Sequence, residues 1–87
     1  MTEPELVAKL VAVVSRVAGR ERTPPDAGPD TPLTGGGFFL TSVGILEVIV
    51  ACEAAFDIAF DSELDLSRET LATIGSLAGA IARKLAA

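Results

Sequence analysis

Apolar residues recur at helical spacing in three stretches of this 87-residue chain. In the first, Leu6, Leu10, Val13 and Val17 fall on one stripe, and Val7, Val11, Val14 and Ala18 form a second beside it. Together they make the wide apolar face of an amphipathic helix, with Lys9 and Arg16 towards the other side. Thr2 is placed to cap this helix. Glu5 completes an S/T-x-x-E capping box, and Pro4 sits in the first turn, where a missing N–H is harmless. Gly19 ends the segment, and Arg16, Arg20 and Arg22 suit the negative end of its dipole.

The second stretch predicts a helix from about Ser42 to Phe56. Ile45, Ile49, Cys52 and Phe56 share a stripe, while Val43, Leu46 and Val50 carry apolar surface well round the cylinder. Glu47, Glu53 and the small residues Gly44, Ala51 and Ala54 are all that interrupt it. Such a helix is either surrounded by others or has an exposed sticky face. Val43, Glu47, Val50 and Ala54 share a face that is expected to meet partners, with the Ile45 stripe in the core; burial of both faces is the alternative. A last helix starts near Thr73, with Ile74, Leu77, Ile81 and Leu85 in register and Arg83 and Lys84 at its favourable end. Between these, Phe56–Phe60 alternates briefly like a strand but has no second strand to pair with. Ile58 and Phe60 are therefore read as loop residues plugging the core, followed by a short helical turn near Ser67–Leu71.

Residues 20–41 hold four of the five prolines and four of the eight glycines, which excludes a helix there and makes a strand improbable. So long a connection in a small domain is generally functional or disordered. Residues 20–32 are expected to be mobile in part. Leu33, Phe38, Phe39 and Leu40 are expected to pin the far end to the core, delivered by a tight turn at the glycines of "GGGFFLTS". The elements sum to an all-α fold: three main helices plus a short one, joined by one long loop, in a single domain over residues 1–87.

Composition narrows the function. Hydrophobic residues make up 49% of the chain and aromatics are four Phe, so the core is aliphatic. A net charge of -5 offers no basic surface for nucleic acid and favours basic protein partners instead. No apolar run reaches the length of a membrane span, the acidic start does not read as a signal peptide, and the expected setting is the cytoplasm. The chain has no His and one Cys. This removes the commonest general base and most metal sites, so no catalytic residue and no metal ligand is assigned and the protein is not expected to be an enzyme. Cys52, on the most apolar stripe, reads as a small buried hydrophobe. The triple glycine is not a nucleotide loop, because no Lys follows it and no strand clearly precedes it.

Ser42 admits two readings. A Thr-Ser pair before an apolar run is an ordinary helix cap. In its wider context, though, "LTSVGILEVIVACEAAFDIAF" resembles the acyl carrier proteins, with a Ser opening an apolar helix, E-x-x-x-x-x-E, and a closing F-x-I-x-F. "ATIGSLAGAI" is similar to the start of that family's last helix. The resemblance covers essentially the whole chain, most specifically residues 33–81. It implies a four-helix bundle in which Ser42 carries a 4'-phosphopantetheine arm, added from coenzyme A by a phosphopantetheinyl transferase. The arm would hold acyl or aminoacyl groups as thioesters between loading enzymes and synthases. Thr41, Val43, Glu47, Val50 and Ala54 would face these partners, and the carrier would be a monomer. A phosphodiester on Ser42 would meet the positive end of the second helix. Thr41 stands where the family has Asp, Val43 where it has Leu, and Gly44, Ala54 and Ala55 where carboxylates are usual. This thinner charge points to dedicated partners in polyketide, peptide or hybrid natural-product biosynthesis. The rival is an unmodified carrier-like bundle that serves as a binding or regulatory module.

Overall fold

In a computed structural model of the chain, residues 2–61 and 65–86 are described. Three α-helices form: α1 (Glu3–Ala18), α2 (Ser42–Phe56) and α3 (Ile74–Ala86), with a single 3-10 turn at Arg20–Arg22. No strand is formed among the described residues. An isolated antiparallel bridge joins Pro32 to Thr73.

Each helix starts where its local chemistry permits. Thr2 caps α1 in a reciprocal box with Glu5, and Gly19 closes it at φ +91, a conformation that glycine adopts without a Cβ penalty. Thr73 opens α3 in the same manner: its hydroxyl accepts from Ser76 N at 3.1 Å, and Ser76 Oγ accepts from Thr73 N at 3.0 Å. Serine here does the work of the usual Glu. Asp57 ends α2 in the left-handed conformation, φ 53.

The core lies where α1 packs against both α2 and α3. Leu10 and Val14 of α1, Val48 and Cys52 of α2, and Ile74, Leu77 and Ile81 of α3 are fully buried. Val48 belongs to the Ile45 stripe and was absent from the sequence reading of it. Leu85, in the last turn of α3, stays exposed. Ile58 and Phe60 pack half-buried against the core. The expected short helix at Ser67–Leu71 is a turn, closed by Leu71 N donating to Ser67 O at 3.1 Å. Residues 62–64, just before it, lie outside the described residues. Lys84 Nζ meets Asp65 at 2.6 Å, tying this segment to α3.

The long loop is stitched to the start of α3 and to Ala72 just before it. Gly75 N donates to Pro29 O, Ile74 N to Thr31 O, and Leu33 N to Ala72 O. Phe38 N then donates to Pro32 O and Leu40 N to Leu33 O, folding residues 32–40 into a knuckle. Leu33, Phe38 and Leu40 point inward and are buried. Phe39 does not: it is 59% exposed, which corrects the expectation that all three of Phe38, Phe39 and Leu40 reach the core. The neighbours on both sides face inward, so the intervening side chain faces out, and the backbone at Phe39 takes φ 55 to allow it. Gly37 is the residue this knuckle cannot exchange, because a Cβ there would lie 2.0 Å from Pro32 O.

Candidate functional site

The knuckle delivers the chain to the start of α2, and the cap there is Thr41 rather than Ser42. Thr41 is extended (φ -84, ψ 177), and its hydroxyl accepts from Gly44 N at 3.3 Å. The reading of Ser42 as the cap is therefore corrected. Ser42 is the first helical residue, it is exposed, and its hydroxyl makes no hydrogen bond among the described residues. The boundary follows from geometry: the capping residue must be extended so that its side chain can turn back to the first turn.

Three features make this first turn receptive to an anion. The Ser42 and Val43 amides have no acceptor within the helix. No acidic residue lies in the first turn. The helix dipole adds partial positive charge at the same end. Gly44 has a packing reason: a Cβ there would come within 3.0 Å of Leu40 Cδ2, so the turn sits close over Leu40. At the opposite end, Lys9 Nζ donates to Ala55 O at 2.9 Å and stands 4.8 Å from the centre of the Phe56 ring. Lys9 lies off the apolar face and is exposed, as its spacing predicts, and its long side chain reaches across to cap α2.

Val43, Glu47, Val50 and Ala54 are all exposed, so α2 is not buried on both faces. Val43, Leu46 and Val50 are between 61% and 65% exposed, unusual values for large aliphatic residues. Val17 of α1 joins them along a shallow groove. Leu46 and Val17 were not among the residues predicted for this face, although the spacing of Val43, Leu46 and Val50 was available to show the first. The two carboxylates of α2 have different fates. Glu47 is exposed, whereas Glu53 is half-buried, its Oε2 accepting from Phe60 N at 2.9 Å and its backbone carbonyl from Ile58 N. Cys52 is buried, and burial, aided by the charge of Glu53, pushes its thiol up to about 12. It is no nucleophile at neutral pH.

A family model described as the phosphopantetheine attachment site matches residues 8–81. The chain belongs to this family. It is a carrier domain of the acyl-carrier type, and the family carries a covalently attached 4'-phosphopantetheine. No curated protein and no solved structure matches the chain. The carrier domain is all-helical, with three helices among its described residues. No helix of the described residues is long and apolar enough to cross a membrane. The residues at the start of α2 fit the group: an exposed hydroxyl free of any capping duty, unpaired amides beside it, and no acidic residue in the first turn of the helix.

Proposed function

We propose that Ser42 is the attachment point, and that this carrier serves acyl or aminoacyl transfer in polyketide, peptide or hybrid natural-product biosynthesis. The observation supporting it is that Thr41 alone closes the cap of α2, which leaves Ser42 Oγ exposed and unengaged. In the loading step Ser42 Oγ bonds to the pantetheine-side phosphorus of coenzyme A. The bond from that phosphorus to the nucleotide breaks, the nucleotide leaves, and the hydroxyl proton passes to the transferase. No base is required in the carrier itself, in keeping with a chain that has no His. Once attached, the arm supplies a thiol that takes its cargo as a thioester. The Ser42 and Val43 amides and the helix dipole hold the phosphodiester. The carrier contributes presentation and no catalysis and works as a monomer in the cytoplasm.

Partner enzymes meet Thr41, Val43, Glu47, Val50 and Ala54. With one exposed carboxylate amid large aliphatic side chains, this face binds by desolvation more than by charge, which suits dedicated partners. The exposed aliphatic face and the Thr in place of the family's Asp also favour a second reading, an unmodified bundle that binds protein and nothing else. Intact mass after incubation with coenzyme A, magnesium and a broad-specificity phosphopantetheinyl transferase separates the two. The carrier reading expects one added phosphopantetheine on the wild type and none on Ser42→Ala. A folded wild type that gains nothing, alongside a control carrier that does, would overturn it.

A further inference from the structure

Beside Thr41 the long loop and the knuckle enclose an open groove walled by Arg22, Pro24, Pro25, Gly36, Phe39 and Thr41. Its end is covalently adjacent to Ser42. Phe39 is the exposed one of the four phenylalanines. It also holds a left-handed backbone, φ 55, that a bulky residue rarely adopts and that Gly or Asn would take more easily. The knuckle needs an outward-facing residue at this position and has no need of an aromatic one. An exposed ring kept on a strained backbone next to a candidate site is a feature that function, not folding, explains.

The groove is mixed in character. Phe39 and the two prolines offer apolar surface, Arg22 offers donors, Glu21 beside it offers an acceptor, and the Gly36 N–H makes no hydrogen bond among the described residues. Phosphopantetheine is mixed in the same way, with two methyl groups on one carbon, methylene segments and two amides. The groove on the other side of α2's start, along Val17, Val43, Leu46 and Val50, has Glu47 as its one charged residue and offers no side-chain donor to an amide carbonyl.

We propose that the phosphopantetheine arm on Ser42 rests in the groove between residues 21–25 and 36–41, with its dimethyl carbon against the Phe39 ring and its amides paired with Arg22, Glu21 and the Gly36 N–H. This rests on the carrier reading. The resting arm is thereby held along the loop, apart from the aliphatic face of α2.

Isotope-labelled carrier, before and after loading, tests it by nuclear magnetic resonance, with intact mass reporting the loading separately. The expected result is a set of nuclear Overhauser contacts from the arm's methyl groups to the Phe39 ring, with amide shifts at Arg22, Gly36 and Phe39 as well as next to Ser42. Phe39→Ala should abolish those contacts and return the Arg22 amide to its unloaded position, while loading itself persists. Should that variant misfold, the contacts in the wild type decide alone. Full loading with shifts confined to residues 41–44 would overturn the groove, as would contacts from the arm to Val17, Leu46 and Val50 along the aliphatic face of α2 or to Ile45, Leu71 and Ala72. Failure to load would overturn the carrier reading, and the groove's occupant with it.

Discussion

Exchanging the two hydroxyl residues at the start of α2, one at a time, separates their roles. In Thr41→Ala the acceptor for Gly44 N is lost. Removing a Thr cap costs about 0.5–2 kcal/mol. At 3.3 Å this hydrogen bond is at the long end of the range, which places the expected loss at about 0.5–1 kcal/mol. For a domain of 87 residues that is a fall in Tm of roughly 2–8 °C. Ser42→Ala removes an exposed hydroxyl that makes no hydrogen bond among the described residues and puts a better helix former at the first helical position. Its expected effect is between zero and a few tenths of a kcal/mol of stabilisation. Thermal unfolding by calorimetry of the three proteins at neutral pH reads both values. Transferase labelling then gives the inverse ranking: Thr41→Ala still accepts the arm, and Ser42→Ala does not. A Ser42→Ala protein destabilised as much as Thr41→Ala would refute the assignment of the cap. So would a Thr41→Ala protein with unchanged Tm.

Two further outcomes follow from the core. The Cys52 thiol, held up to about 12, is neutral in the folded protein and ionises earlier when unfolded, at an ordinary value of 9.0. Its contribution to stability is complete below pH 9.0 and is lost as pH rises towards about 12, which denaturant melts across alkaline pH should show and Cys52→Ala should remove. Gly37→Ala forces a Cβ against Pro32 O and should cost roughly 3 kcal/mol, the upper end for overpacking. Gly36→Ala would place a Cβ in ordinary contact with Pro32 Cγ, 3.9 Å away, but at φ +87, and should cost about 1–2 kcal/mol by chemical denaturation; equal costs would mean the knuckle yields.

What was legible in the sequence follows from how locally each feature is encoded. α2 runs over the residues its periodicity predicts, and the capping box of α1 and the stop at Gly19 were equally readable. All of them rest on hydrogen bonds and side-chain spacing within a turn or two. The family match over residues 8–81 fits a motif read from contiguous residues around Ser42. One residue of boundary decided more than periodicity resolves: whether Thr41 or Ser42 caps depends on which is extended, and that is set by the knuckle arriving from Leu40.

Tertiary structure decided the rest. Spacing along α2 set Val43, Glu47, Val50 and Ala54 outward and the Ile45 stripe inward, with burial of both faces as the alternative; the positions of α1, α3 and the loop decided between these, leaving Val43, Leu46 and Val50 in solvent and burying Val48. The same residue types gave Phe38 to the core and Phe39 to the surface because Phe38 N and Leu40 N are bonded to Pro32 and Leu33. Glu53 and Glu47 read alike until the segment after α2 folded back onto one of them. Lys9 found its partner 46 residues away. The sequence by itself determined the three helices, the capping box of α1 and the serine that opens α2, because those depend on near neighbours. Which side chains face solvent beside that serine was fixed by contacts between segments far apart in the chain, and no local pattern encodes those.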